Sequence, residues 1–160
     1  MKEKINHYVK IPEKYVADLK HNHKILQKEI EAGNLPVYEV FVEGLFKYAE
    51  TPTLSLHHCT TGIAKEAGEL LSESCAMWMH NKPMKFHDFI KEMGDVYFYF
   101  QQLLNMMDLT VEEVQSVNYL KLLERYGGLE YSDKAAQEKV DQKKPGSDRK
   151  FFGQEQNQDE

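Results

Sequence analysis

Glu66-x-x-Glu69 and Glu92-x-x-Asp95 place two pairs of carboxylates at helical spacing on two consecutive segments. Residues three apart on a helix share a face, so each pair points one way. Asn81-Lys82-Pro83 reads as the turn between the segments, because Pro83 cannot continue a helix. Both pairs are equally far from residues 80–81, so in an antiparallel hairpin they lie level across one seam. Four bare carboxylates in a poorly hydrated seam repel one another. Either the helices turn them into water, or hard cations hold them together. All-oxygen ligation points to Mg²⁺, with Mn²⁺ as the alternative. The acids interrupt apolar stripes: Glu66 stands between Ile63 and Leu70, and Glu92 between Phe89 and Val96. Charges beside a core face need partners, which favours a metal centre. The competing reading is an exposed bundle edge, with Lys65 and Lys91 as surface partners. Glu73, one turn beyond Glu69, reads equally as a fifth ligand or as a surface residue. No Glu-x-x-His occurs, which argues against a di-iron carboxylate bundle.

A third segment adds donors. Asn118, Lys121 and Arg125 are spaced by three and four and share a face. One amide and two cations suit a phosphate chain, or they form a solvated face whose basic residues favour a helix C-terminus. Further substrate contacts are weaker candidates. His58, or its neighbour His57, reads as a base or phosphate contact or as a packed or surface histidine. Trp78 reads as a stacking ring or, between Met77 and Met79, as core or interface. Lys47 and Tyr48 precede the first acidic segment. Cys59 and Cys75 have no His or Asp arrangement that would make a nucleophile. They read as reduced, buried small hydrophobes, which fits a cytoplasmic protein.

The elements that position these residues read as helices. Expected segments are 13–32, 36–50 opened by Pro36, 54–80 with Thr53 as cap, 84–107, 111–126 and a weaker 132–142. Leu56, Ile63, Leu70 and Met77, with Cys59 and Ala67, form the expected inner stripe of 54–80. Thr110 with Glu113 forms a capping box, and Gly127-Gly128 ends that helix. The expected fold is all-α, a helical bundle built around an antiparallel helix hairpin. Val96-Tyr97-Phe98-Tyr99-Phe100 presents apolar or aromatic groups on every side, implying burial all round and completion by a homodimer or larger oligomer. The expected organisation is N-terminal helices over 1–52, a core over 53–142, and an acidic tail over 143–160 that is too polar to bury much surface, although Phe151-Phe152 gives it an apolar point.

With 41% hydrophobic and 29% charged residues the chain belongs among globular proteins. A formal net charge of −6 without a basic block argues against nucleic-acid binding, so a polyanionic ligand needs cations to hold it. Residues 1–6 lack the apolar core of a signal peptide. Residues 96–109, interrupted by Gln101, Gln102, Asn105 and Asp108, are no membrane span.

These motifs together resemble the MazG-like all-α nucleoside triphosphate pyrophosphohydrolases. The resemblance lies in Glu-x-x-Glu followed by Glu-x-x-Asp and in the wording around both, Gly62-Ile-Ala-Lys-Glu-Ala-Gly-Glu-Leu70 and Glu92-Met-Gly-Asp-Val-Tyr97. It extends to Asn118-Tyr-Leu-Lys-Leu-Leu-Glu-Arg-Tyr126, similar to the closing Asn-x-x-Lys-Leu-x-x-Arg-Tyr. It spans about residues 54–140, roughly half the chain. It implies hydrolysis of NTP or dNTP to a nucleoside monophosphate and pyrophosphate in nucleotide-pool housekeeping. Mg²⁺ is then held by Glu66, Glu69, Glu92 and Asp95. Glu69 or Glu73 orients the water, and Asn118, Lys121 and Arg125 grip the phosphates. The assembly implied is a homodimer or homotetramer. Many relatives carry an acid where this chain has Lys65. That departure motivates the alternative of a non-catalytic nucleotide-binding or scaffold bundle of the same fold.

Overall fold

The computed structural model describes residues 9–128 and 130–138. Its helices are α1 (Glu13–Glu31), α2 (Tyr38–Leu45), α3 (Pro52–His80), α4 (Phe86–Met107), α5 (Val111–Tyr126) and α6 (Asp133–Glu138). No strand occurs among the described residues, so the fold is all-α as expected. The chain divides into two compact units, Met1–Met107 and Asp108–Glu160. Residue 52, where the sequence suggests a boundary, lies inside the first unit, because α2 packs on α4. The expected tail over 143–160, Phe151-Phe152 and residues 139–142 of the last expected helix lie outside the described residues.

The first unit is organised by the α3–α4 hairpin. Pro52 occupies the first turn of α3, where its missing N–H costs nothing, and the Thr51 hydroxyl accepts from Leu54 N–H at 3.2 Å. Thr51, and not Thr53, is therefore the cap: with Pro52 already helical, Thr53 lies inside the first turn. The helix ends at Asn81 in the left-handed region (φ +49°), where the Asn81 and Lys82 N–H groups both reach back to the Ala76 carbonyl.

The seam of this hairpin differs from the expected one. The buried residues of α3 are Ser55, Cys59, Gly62 and Glu66, spaced by four, three and four. Of the expected stripe Cys59 is buried, but the rest is displaced from this line: Leu56, Ala67 and Met77 are exposed, and Ile63 and Leu70 are half-buried. The reason is size. A Cβ on Gly62 would stand 2.5 Å from the Tyr99 ring, so only glycine lets the α4 aromatic lie against the α3 backbone.

Within the single chain, Tyr97 is exposed and the other four of residues 96–100 are half-buried. The inward residues of α4 are Gln101, Gln102 and Leu104. Gln102 is fully buried and donates from Nε2 to the Tyr48 hydroxyl at 2.8 Å and to Glu43 Oε2 at 3.5 Å. Its Oε1 has no partner among the described residues. Asn105 donates to the Glu39 carbonyl at 2.9 Å, which fastens α2 to α4.

Helix α2 is shorter than the expected 36–50. It starts at Tyr38, with Val37 extended, and stops where Phe46 turns extended (ψ 130°). That turn buries Phe46 against the His58 ring (centroids 5.0 Å apart) and the Tyr48 ring (5.1 Å), so tertiary packing overrides helix propensity. Helix α1 has no buried residue, and the Tyr15 hydroxyl meets His87 Nδ1 at 3.2 Å at the start of α4.

In the second unit the capping box forms as expected. Glu113 N–H donates to the Thr110 hydroxyl at 3.2 Å, and Thr110 N–H donates to Glu113 Oε2 at 2.7 Å. These bonds hold the Glu113 carboxyl below its ordinary value, the Thr110 backbone first among the causes. Gly127 closes α5 at φ +64°. Thr110→Ala is expected to cost about 1 kcal/mol in urea unfolding, since it leaves a helix-start N–H without its acceptor. Helix α6 packs beside α5, with the Tyr126 and Tyr131 rings 5.6 Å apart.

Candidate metal centre

Glu66 is the last member of the buried α3 stripe and is only 7% exposed. Glu69 follows one turn later and is exposed; Glu92 comes from α4 and is half-buried. One oxygen from each of the three lies within 4.8 Å of the others. Oxygens around Mg²⁺ at about 2.1 Å stand roughly 3–4 Å apart, so this set needs only small side-chain adjustments to close on an ion. The hairpin thus brings together three of the four acids singled out in the sequence. Asp95 is exposed and falls outside the set of three, although its charge reaches both Glu92 and Tyr38.

Lys65 bridges two of these acids. Its Nζ lies 2.9 Å from Glu66 Oε1 and 2.5 Å from Glu69 Oε1. The Glu69 contact, then the Glu66 contact, raise the Lys65 ammonium above its ordinary value; the same lysine holds the Glu69 carboxyl below its own. Glu92 moves the other way. Desolvation raises its pKa, and the charges of Glu69, Asp95 and Glu66 add to that. Without a dication the cluster therefore reaches balance by keeping Glu69 ionised against Lys65 and by making Glu92 reluctant to lose its proton.

The remaining candidates lie outside the set of three. Glu73 is half-buried on α3, outside the set of three. His58 lies between the rings of Phe46 and Tyr99 (centroids 5.0 and 5.9 Å), a packing place some 12 Å of helical rise before Glu66. The His57 carbonyl accepts from the Thr60 hydroxyl. Lys47 is exposed, and Tyr48 serves the Glu43–Gln102 network. Trp78 is not core: it is 83% exposed, on the last turns of α3 and roughly 13 Å of rise beyond Glu69. Asn118, Lys121 and Arg125 lie on α5 in the second unit, at the spacing of one face. Cys59 is a buried free thiol whose pKa burial raises, unsuited to attack, and Cys75 is free and half-buried.

Sequence reasoning missed two rings. Tyr38 and Tyr97 stack with centroids 5.6 Å apart, both partly exposed, and the Asp95 charge acts on Tyr38. The signal was available in Tyr97, two positions after Asp95, but Tyr38 comes from another helix. A cavity of about 310 Å³ lined by Tyr48, Thr51, Pro52, Ser55 and Met106 is separate from the acids. Its Ser55 is about 16 Å of helical rise from Glu66.

The chain matches no protein-family model, no curated protein and no solved structure. No helix among the described residues is long and apolar enough to cross a membrane.

Proposed function

We propose that the chain is a Mg²⁺-dependent nucleoside triphosphate pyrophosphohydrolase of the MazG-like type, cytoplasmic and acting in nucleotide-pool housekeeping. The convergence of Glu66, Glu69 and Glu92 from two helices onto one point carries the reading. Three carboxylates held so close, one of them nearly buried, suit an all-oxygen divalent site. With Asp95 they are the residues that hold Mg²⁺, which supplies charge neutralisation at the phosphates when bound. Glu69, exposed at the rim, or Glu73, one turn further, accepts the proton of the attacking water. Asn118, Lys121 and Arg125 are the phosphate-gripping residues. The partly exposed Tyr38 and Tyr97 rings offer a base a stacking face. Exposed Met77, Trp78 and Met79 near the hairpin tip, Leu71 earlier on α3 and Met93 on α4 support a homodimer or homotetramer.

One observation favours the alternative, a non-catalytic nucleotide-binding or scaffold bundle: Lys65 already gives Glu66 and Glu69 a partner without any ion.

Thermal unfolding with Mg²⁺ separates a metal protein from a bundle with a solvated acidic edge. At about a hundred times its Kd, Mg²⁺ is expected to raise Tm by roughly 5–10 °C. The rise shrinks as pH is lowered: the raised pKa of Glu92 means the native protein takes up that proton early, and the proton competes with the ion. No rise at any pH, with or without nucleotide, leaves the structural reading standing.

A further inference from the structure

We infer that Lys65 is a displaceable internal counterion: it occupies the carboxylates until a divalent cation replaces it, and so sets how much metal the centre holds without nucleotide. The inference rests on the proposed metal centre and concerns its regulation.

Three observations carry it. First, the ammonium contacts the same two side chains that belong to the three-glutamate set, touching one oxygen of each. Second, the Glu66 side chain is nine-tenths buried, and the Lys65 ammonium is the cation paired with its carboxylate. Third, the Lys65 side chain is 63% exposed, which leaves it room to swing off the carboxylates without disturbing the packed seam.

The two occupants exclude each other. A dication bound to an oxygen at about 2.1 Å would stand only a few ångströms from an ammonium hydrogen-bonded to that same oxygen. At that distance two positive charges repel strongly in a partly dehydrated place. The ion must therefore take over both carboxylates as Lys65 leaves. An ammonium is a compact, rotatable donor that favours phosphate oxygens. A nucleotide arriving with its metal offers Lys65 a new anion while the metal satisfies Glu66 and Glu69. Free metal offers only half of that exchange. Charge balance thus couples metal binding to nucleotide binding and weakens the hold on free divalent ions.

Mn²⁺ binding followed by electron paramagnetic resonance, with Mn²⁺ alone as the probe, tests this on the full chain at one pH and salt concentration. Lys65→Met is expected to bind Mn²⁺ at least tenfold more tightly than the wild type. Lys91→Met removes the same charge next to Glu92, where no ion pair to Lys91 occurs among the described residues, and is expected to change affinity less than about threefold. Equal affinities for Lys65→Met and Lys91→Met would overturn the counterion role. If the wild type nevertheless binds Mn²⁺ and Glu66→Gln does not, the metal centre itself survives. Absence of binding in the wild type and in well-folded Lys65→Met would overturn both.

Discussion

Glu66→Gln is expected to lower Mg²⁺-dependent pyrophosphate release by about a hundredfold or more while leaving the metal-free protein at least as stable as the wild type. The two halves have one cause. Glu66 is a charge at the buried end of the α3 stripe, 7% exposed. A glutamine has the same shape, ends the cost of holding an anion there, and leaves Lys65 with Glu69. It also lacks the charge that a hard cation needs. Metal stabilisation of transferring phosphates is worth several kcal/mol, and about 1.4 kcal/mol corresponds to tenfold in rate. Activity lost with Tm kept or raised marks a residue retained for function at some cost in stability. A fall in Tm together with unchanged rate would make Glu66 a structural residue. The readouts are a pyrophosphate assay and a metal-free thermal melt.

Gly62→Val is expected to have the largest effect on stability, a loss of roughly 2–3 kcal/mol in urea unfolding. Any Cβ here would meet Tyr99 Cδ1 and Cε1 at 2.5 Å, with the His58 and Phe98 rings beside that ring. Relief is expected from the helices moving apart. Gly62 lies one turn before Glu66, so that movement also draws Glu66 away from Glu92 and should lower activity beyond the loss of folded protein. Tyr99→Ala in the Gly62→Val background should recover part of the stability, a negative coupling that identifies the contact. An unchanged unfolding midpoint for Gly62→Val would refute the close approach of α3 and α4.

The features legible in the sequence are those written in local chemistry. Asn81-Lys82-Pro83 marks the hairpin turn, and Asn81 takes the left-handed cap. Thr110 and Glu113 announce their capping box, and Gly127 its end. The level placing of Glu66, Glu69 and Glu92 follows from two spacings and one turn, and the three do converge. The face each helix presents was less legible. Hydropathy favours Leu56 and Met77; of the expected stripe only Cys59 is buried, and the seam also runs through Ser55 and Gly62, whose value lies in being small and, at Gly62, in the Tyr99 ring opposite. Gln101 and Gln102 read as interruptions of an apolar run, yet they are the inward residues, because Gln102 meets Tyr48 and Glu43 there. The early end of α2 depends likewise on Phe46 finding His58. Lys65 read as a departure from an acidic motif or a surface partner. Its bridging of Glu66 and Glu69 depends on side-chain geometry that spacing does not specify.

The most direct test of the proposed activity is pyrophosphate release from a panel of NTPs and dNTPs with Mg²⁺, comparing the wild type with Glu92→Gln. Release by the wild type, with a nucleoside monophosphate as co-product and its loss in Glu92→Gln, is the expected result, and the panel ranks the substrates at the same time. No release from any nucleotide by folded, Mg²⁺-binding wild type would contradict the proposed hydrolysis and favour a nucleotide-binding or scaffold bundle.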